Sequence, residues 1–436
     1  MRDLFVASVV FGLLPFILKR PFWGILLAAW LGYMNPHLLC YGFAKTMPFV
    51  MLTVLATLVG MLLSKEVKRM VWSREVVVLL IFIAWMGVTT TQALYPELAQ
   101  PQFIKVIKIQ VIVFMTLLLL TSRERVHLFI WVVVLSLGFY GVKGGIFTLL
   151  TGGAHRVQGP YGSFLGGNNE TALALVMTVP LMRYLQLQAQ RRLVRHGLTI
   201  GMLLTVVAIV GTQSRGALVA LALTGAIFWV KSRHKVVTAV VMAVALAGTI
   251  SFMPQEWVDR MGTIKTYEQD RSAQGRITAW WTAYNLAKNR FTGGGFETFQ
   301  ARVFVLYSPE HTADSRDVHS IYFETLGEHG FVGLSLFLLL LGMAWAKCGS
   351  IIRFAKKRPD LVWARDLAAM IQVSFVGYMS AGAFLGLAYF DYIYHLVIVV
   401  VAMHHILTTQ KADNLPRVAP GLSPPGPQAS LAVPGS

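Results

Sequence analysis

Twelve apolar stretches, most of them close to the roughly 20 residues that a helix needs to cross a bilayer, take up most of this chain of 436 residues. They run approximately over 22–39, 48–63, 76–93, 106–121, 127–150, 171–187, 197–213, 216–231, 235–253, 329–349, 368–388 and 392–409. With 56% hydrophobic and 13% charged residues, the chain is too apolar for an ordinary soluble protein. The sequence predicts an all-α polytopic membrane protein with about 12 transmembrane helices, in contact with membrane lipids.

Lysine and arginine are concentrated in alternate loops. They form five groups: Lys65, Lys68, Arg69 and Arg74; Arg123 and Arg125; Arg191, Arg192 and Arg195; Lys231, Arg233 and Lys235; and Lys347, Arg353, Lys356, Lys357, Arg358 and Arg365. Basic residues collect in cytoplasmic loops, so the remaining loops, including 94–105, 151–170, 211–216, 254–318 and 388–392, are expected in the periplasm of a bacterium. This distribution accounts for the net charge of +18. We expect no nucleic-acid partner, because no basic stripe with interleaved aromatic residues lies outside the apolar stretches.

The first apolar run, 4–18, is short and contains Pro15. Three structures fit it: a thirteenth span, a half-helix, or one arm of a broken element with 22–39. We favour the broken element, which places Met1 in the cytoplasm. No small-residue cleavage site follows before Lys19, so we expect the N-terminus to be retained instead of cleaved as a signal peptide.

Four segments follow from this pattern: a transmembrane bundle over 1–253, a periplasmic loop subdomain over 254–328, C-terminal transmembrane helices over 329–410, and a cytoplasmic tail over 411–436. The tail holds six prolines and three glycines and should be disordered. The loop carries enough aromatic residues to fold against the membrane. Its run Gln274–Lys288 places Ile277, Trp280, Trp281 and Tyr284 on one face, which predicts an amphipathic helix at the level of the lipid headgroups.

A basic residue in the loop 211–216 stands on the predicted periplasmic side, where positive charge is disfavoured. Arg215 follows Ser214, which can cap a helix that starts at Gly216. Backbone N–H groups and the positive end of a helix dipole would then surround the guanidinium, as in many anion sites. Gly216 would let a ligand or another backbone come close. The alternative is an interfacial arginine that reaches lipid phosphates.

A second arginine opens the predicted amphipathic helix. Arg276 stands one turn before Trp280, and a guanidinium at a helix start matches the oxygens of a phosphate better than an ammonium group does. Arg276 is therefore a second candidate phosphate ligand. The alternative is a solvated arginine on the polar face of the helix.

The third candidate is His319, which precedes Ser320. On a helix that started here, Gly330 and Gly333 would fall within about 40° of the histidine's stripe and leave a smooth surface for close packing. A histidine side chain changes its protonation near neutral pH, which suits a general base. Two alternatives stay open: the glycines break the chain before a helix that begins near residue 331, or the histidine is purely structural.

Nothing in the sequence indicates a metal or another cofactor. His311, His319 and His329 lack the spacing of metal ligands, and there is no H-E-x-x-H, Walker A or G-x-S-x-G motif. Cys40 and Cys348 belong to different apolar segments and suggest neither a disulfide framework nor a metal site. We expect a reaction that uses no cofactor.

These segments together resemble the O-antigen ligase and polymerase superfamily. His319-Ser320, nine residues, and then Gly330-x-x-Gly333 are similar to the histidine motif of its ligases (WaaL-like proteins). Ser214-Arg215-Gly216 is similar to their arginine motif at a periplasmic helix end, and Gly275-Arg276 to their second arginine. The resemblance covers roughly residues 200–345, and the N-terminal half carries no motif that can be matched.

The resemblance implies a glycosyltransferase of lipopolysaccharide biosynthesis in the bacterial inner membrane. Such a ligase moves a preassembled glycan from undecaprenyl diphosphate to a hydroxyl of lipid A-core in the periplasm, without metal or nucleotide, and inverts the anomeric carbon. Arg215 and Arg276 would bind the diphosphate, and His319 would be the base. Second candidates, for substrate contacts or for orienting the histidine, are Arg302, His311, Arg316 and Asp317.

Other functions fit the same residues. A protein O-oligosaccharyltransferase or an O-antigen polymerase would use the same groups on another acceptor, and the sequence does not separate a lipid acceptor from a protein one. A transporter or flippase of lipid-linked glycans would place charges near the middle of its spans. Here the apolar cores carry few charges, with Lys143 the main candidate, and the polar residues cluster on one side of the membrane. That distribution favours chemistry at the membrane surface.

Overall fold

The computed structural model describes residues 1–232, 234–251, 253–262 and 271–413, and within them the chain forms α-helices, short 3₁₀ turns and no strand. The helices are α1 (Arg2–Lys19), α2 (Phe22–Tyr33), α3 (Phe49–Leu63), α4 (Arg74–Thr91), α5 (Pro96–Leu119), α6 (Arg123–Leu150), α7 (Asn168–Gln188), α8 (Arg192–Gly211), α9 (Arg215–Lys231), α10 (Lys235–Ser251), α11 (Gln255–Gly262), α12 (Arg271–Asn289), α13 (Ala301–Tyr307), α14 (Ile321–Ala355), α15 (Val362–Gly382) and α16 (Asp391–Asp413). The predicted all-α class is confirmed. The last helix includes 411–413 of the predicted tail, and 414–436 lie outside the described residues.

Six helices of the described chain are long and apolar enough to cross a membrane: α4, α5, α6, α8, α14 and α16. Three more apolar helices, α2, α3 and α10, have 17 residues or fewer. The predicted count of about 12 is therefore not confirmed. The stretch 22–39 shows one reason, because its helix ends at Tyr33, where Asn35 adopts a left-handed backbone (φ 48°) and Pro36 follows.

The N-terminal run forms a helix of its own. Asp3, at the start of α1, accepts hydrogen bonds from the backbone N–H groups of Gly42 (3.0 Å) and Ala44 (3.1 Å), which follow α2. The helices α1 and α2 are therefore antiparallel neighbours. The end of α1 packs closely on α3, where a Cβ added to Gly60 would lie 2.5 Å from the carbonyl oxygen of Ile17. The broken element that we favoured is not found. The argument that placed Met1 in the cytoplasm therefore no longer holds.

Loops from different parts of the chain pack together at each end of the bundle. At one end the contacts join Glu66 to Arg125, Glu75 to Lys347 and Gln188 to Asp366. At the other end they join Leu94 to Gly294, Val157 to Gly211 and Phe164 to Phe390. Each of these six contacts pairs segments that the sequence assigned to the same side. Which end faces the cytoplasm stays a prediction.

The helix predicted over Gln274–Lys288 is confirmed as part of α12, and small residues form the face that it packs on α14. Ala279 and Ala283 are fully buried, and a Cβ added to Gly327 of α14 would come within 3.3 Å of the Ala283 methyl group. Trp281 and Tyr284 are 53% and 40% exposed. Small residues let the two helices cross closely, so the large aromatic side chains stand at the edge of the contact.

Candidate functional site

A small pocket of about 60 Å³ lies where the starts of α7 and α9 meet α12 and the turn after α15. Its lining consists of Asn169, Gln213, Ser214, Arg215, Gly216, Ala217, Arg276, Ala381, Phe384 and Leu385. The two arginines that the sequence singled out therefore share one pocket, although they come from different helices. We call this the arginine pocket.

The turn between α8 and α9 sets the position of Arg215. Gln213 adopts a left-handed backbone (φ 57°), and the hydroxyl of Ser214 accepts a hydrogen bond from the N–H of Ala217 (3.3 Å), so Ser214 caps α9 as predicted. Arg215 is then the first residue of the helix, at the positive end of its dipole. The close neighbour of Gly216 is a side chain and not a backbone, since an added Cβ would lie 3.1 Å from the Cβ of Phe384.

The start of α12 is tied to the segment that holds His319. A Cβ added to Gly275 would lie 2.2 Å from Nη1 of Arg316, so the Arg316 side chain lies over the residue next to Arg276. One turn later, Trp280 donates a hydrogen bond from Nε1 to the carbonyl oxygen of Val318 (2.9 Å) and stacks on Phe323 with ring centroids 5.1 Å apart. The backbone on either side of His319 is therefore fixed to the helix that carries Arg276.

His319 lies outside the helix that was expected to begin with it. Its backbone is left-handed (φ 42°), and α14 starts two residues later at Ile321. Its Nδ1 lies 3.3 Å from Oδ2 of Asp317, and its side chain is 37% exposed. A left-handed backbone costs energy in a residue that is not glycine, and such strained residues cluster at functional sites.

Gly330 and Gly333 allow an unusual backbone conformation and close packing, and they do not form a smooth stripe with His319. Gly330 has φ 67° and ψ −171°, which interrupts α14, and an added Cβ would lie 2.3 Å from the carbonyl oxygen of Phe291. At Gly333 an added Cβ would meet the His329 side chain at 2.3 Å. The alternative that a glycine breaks the helix is therefore confirmed at Gly330. The predicted alignment with His319 is wrong, because that residue is not helical.

A second, larger cavity of about 440 Å³ lies beside the arginine pocket, since Leu385 lines one and Gly386 lines the other. Its lining consists of Gln102, Ser163, Phe164, Glu170, Glu297, Phe299, Gln300, Ser315, Arg316, Asp317, Val318, Glu324, Glu328, Gly386, Leu387, Tyr389 and Phe390. Two second candidates, Arg316 and Asp317, are among them. We call this the carboxylate cavity, because five carboxyl groups and one guanidinium line it.

Sequence reasoning missed four of these carboxyl groups: Glu170, Glu297, Glu324 and Glu328. Hydrogen bonds fix two of them. Glu324 accepts one from the N–H of Ala388 (2.9 Å), and Glu328 accepts one from the N–H of Glu297 (2.8 Å) and one from the hydroxyl of Tyr389 (2.5 Å). The signal was available, since Glu324 and Glu328 are spaced four residues apart on one helix face soon after the histidine.

The side chain of Tyr389 stays a hydrogen-bond donor in this cavity. Burial, and then the negative charges of Glu328 and Glu324, raise the pKa of Tyr389 well above its ordinary value. The phenol therefore keeps its proton and donates a hydrogen bond to Glu328. This bond connects the turn before α16 to the first part of α14.

Other candidates lie away from both cavities. Arg302 is exposed on α13, and His311 is exposed with its Nδ1 2.9 Å from the carbonyl oxygen of Val305. His319 itself lines neither cavity, although its neighbours Asp317 and Val318 line the larger one. Lys143 is exposed on α6. Over the described residues, no group of three or more His, Cys, Asp or Glu side chains is arranged to hold a metal ion.

The fold and the site define a class: an all-helical protein of long apolar helices, with its arginine pocket and its carboxylate cavity where several of those helices begin. Residues 200–338 match the family model described as O-Antigen ligase, and this part of the chain is a domain of the O-antigen ligase superfamily. Members of this ligase and polymerase group are glycosyltransferase-like enzymes. The matched range holds Arg215, Arg276 and His319, so the predicted resemblance is confirmed at the level of the superfamily.

The N-terminal half is matched separately. Residues 1–190 match a family of unknown function (DUF5935), and this range covers α1 to α7. No curated protein matches the chain.

Proposed function

We propose that this protein is an O-antigen ligase, which transfers a preassembled glycan from undecaprenyl diphosphate to a sugar hydroxyl of lipid A-core at the periplasmic face of the bacterial inner membrane. The observation that carries the proposal is the arginine pocket. Arg215 and Arg276 come from separate helices of the matched domain and line one pocket where apolar helices begin. A lipid-linked diphosphate needs that combination of positive charge and closeness to the bilayer.

The arginine pocket suits a diphosphate leaving group. Negative charge develops on the diphosphate as the bond to the sugar breaks, and cations placed in advance stabilise that charge. Two guanidinium groups match phosphate oxygens in pairs, and the start of α9 adds the positive end of a helix dipole. Both contributions are stronger at a membrane surface than in bulk water, because the local dielectric constant is lower.

His319 is the proposed base. If its Nδ1–H points to Asp317, its Nε2 is free to accept the proton of the acceptor hydroxyl. The hydroxyl oxygen then bonds to the anomeric carbon, the bond from that carbon to the phosphate oxygen breaks, and its electron pair leaves with the diphosphate. Attack opposite the leaving group inverts the anomeric carbon. This step needs no co-reactant beyond donor and acceptor.

The test is glycan transfer by the purified protein in detergent, with undecaprenyl-diphosphate-linked glycan and lipid A-core, EDTA present and no nucleotide. We expect product from the wild type and its loss in His319→Ala and Arg215→Ala. Lys288→Ala is the matched control, because Lys288 is an exposed cation of the same domain that lines neither cavity.

Each other outcome would replace the proposal with a specific alternative. Transfer to a periplasmic protein, with none to lipid A-core, would identify a protein O-oligosaccharyltransferase. Joining of two carrier-linked glycans would identify an O-antigen polymerase. Movement of lipid-linked glycan across liposomes without any transfer would identify a transporter. Full activity in His319→Ala would remove the histidine from the reaction.

A further inference from the structure

The proposed diphosphate site does not use the carboxylate cavity, although the cavity lies next to the arginine pocket. Its volume of about 440 Å³ is in the range of small-molecule sites, roughly 300–1,000 Å³. Phe164, Phe299 and Phe390 contribute rings to a lining that is otherwise carboxyl, amide and hydroxyl groups. Aromatic rings can pack on the C–H groups of a sugar, and the neighbouring oxygens can accept hydrogen bonds from its hydroxyl groups. This lining therefore fits a sugar.

We propose that the carboxylate cavity binds the terminal sugar of the acceptor, and that its charge selects a terminal sugar without phosphate or carboxylate groups. This inference rests on the proposed function. Glu170, Glu297 and Asp317 line the cavity beside Arg316, whose guanidinium already pairs with Asp314. Glu324 and Glu328 add carboxyl groups that hydrogen bonds hold in place. Neutral sugars and amino sugars donate hydrogen bonds to carboxylates, whereas an anionic sugar would be repelled at close range.

The position of the cavity assigns it to the acceptor and not to the donor. Asp317, which contacts the imidazole of His319, also lines the cavity, so a hydroxyl bound there lies on the side of the proposed base. The diphosphate lies on the other side of the Leu385–Gly386 turn, in the arginine pocket. In-line displacement requires the attacking hydroxyl and the leaving group on opposite sides of the anomeric carbon.

The turn at Gly386 shapes the part of the cavity where the hydroxyl would bind. A Cβ added to Gly386 would lie 3.5 Å from Oε2 of Glu324 and 3.6 Å from Oδ1 of Asp317, so two carboxyl groups converge there. Glu324 accepts one hydrogen bond from Ala388, and the two oxygens of a carboxyl group can accept more than one. Glu324 can therefore accept further hydrogen bonds from a sugar.

The experiment measures transfer by the full-length protein with two acceptors, lipid A-core ending in a neutral hexose and the same molecule phosphorylated on that hexose. The variants are Glu324→Gln and Glu328→Gln, which replace a carboxyl oxygen by an amide NH₂ group at nearly constant volume, and Glu297→Gln, which removes a carboxylate at the exposed edge of the cavity. We expect the wild type to prefer the neutral acceptor. Glu324→Gln and Glu328→Gln should each raise the KM for the neutral acceptor about tenfold, because an oxygen that accepts a sugar hydroxyl is replaced by an NH₂ group. Glu297→Gln should reduce the preference for the neutral acceptor, because it removes a negative charge from the lining.

Glu97→Gln is the matched control, because Glu97 is an exposed carboxylate at the start of α5 that lines neither cavity. The KM for the donor and the affinity for undecaprenyl diphosphate should stay at the wild-type value in every variant, which also shows that the variants are folded. A change in the KM for the donor, with wild-type affinity for undecaprenyl diphosphate, would mean that the cavity holds the donor glycan and would overturn the inference.

Failure of the inference and failure of the proposed function give different results. Wild-type transfer with no effect of any variant on the acceptor would reject the acceptor site and keep the ligase. Wild-type activity toward neither acceptor would reject the ligase. A variant that loses affinity for undecaprenyl diphosphate is misfolded, and in that case Glu297→Gln, at a more exposed carboxylate of the same cavity, gives the decision.

Discussion

Replacing Gly330 by alanine tests the interrupted helix from which Glu324 and Glu328 project. Its backbone (φ 67°, ψ −171°) lies in a region that only glycine adopts readily, and holding another residue there costs roughly 1–3 kcal/mol. The added methyl group would also lie 2.3 Å from the carbonyl oxygen of Phe291, a backbone atom that must move. We therefore expect Gly330→Ala to lose about 3 kcal/mol or more of stability.

Gly342→Ala is the matched control on the same helix. Gly342 is helical and exposed, and no atom lies within 4 Å of an added Cβ. Alanine there should gain roughly 0.4–1 kcal/mol, because it restricts the unfolded chain. The two variants should thus shift the unfolding temperature in opposite directions.

The assay is thermal unfolding of the purified variants in one detergent, at one scan rate, because unfolding of such a protein is often irreversible. The transfer rate is then measured well below the unfolding temperature, where we expect Gly330→Ala to be slower because the carboxylate cavity is displaced. Equal unfolding temperatures for Gly330→Ala and the wild type would refute the reasoning. An equal loss of stability in Gly342→Ala would also refute it, because it would show that an added methyl group destabilises this helix at any position.

Three further predictions concern the site itself. Arg276→Lys keeps the charge but loses the paired geometry, so we expect roughly a tenfold loss of affinity for undecaprenyl diphosphate by titration; wild-type affinity would mean that charge alone matters. In Asp317→Asn the imidazole of His319 loses the carboxylate beside Nδ1, so kcat should fall about tenfold or more. The affinity for undecaprenyl diphosphate should stay the same. An unchanged kcat would contradict the role given to Asp317. Tyr389→Phe leaves an oxygen of buried Glu328 without its hydrogen-bond donor, so we expect a stability loss of about 1–3 kcal/mol. The loss is measured as a lower unfolding temperature. An unchanged unfolding temperature would mean that the tyrosine hydroxyl does not contribute to stability.

The sequence predicted what depends on neighbouring residues. Ser214 caps the helix that Arg215 begins, and a helix covers Gln274–Lys288, because capping and helical periodicity are local properties. That Arg215 and Arg276 would share a ligand was expected only from the family resemblance, and the packed chain places both in one pocket.

The sequence could not supply what depends on the path of the chain. The alignment of His319 with Gly330 assumed that a helix starts at the histidine, and a left-handed residue at that position has no local signal. The alanine face of α12 was missed because the choice of buried face depends on Gly327 of another helix. The carboxylate cavity is built from segments as distant as Gln102, Glu170 and Gly386, so only the packed chain reveals it.

Several helices begin at the two cavities, and this leaves a source of anion affinity that no side-chain substitution removes. Each helix start carries about four backbone N–H groups without a partner inside the helix. The cap of α9 occupies one, at Ala217, while Asn169 at the start of α7 lines the same pocket. A protein with both Arg215 and Arg276 replaced would therefore keep weak affinity for inorganic diphosphate through its backbone. In an alanine scan of this pocket, that residual binding sets the baseline.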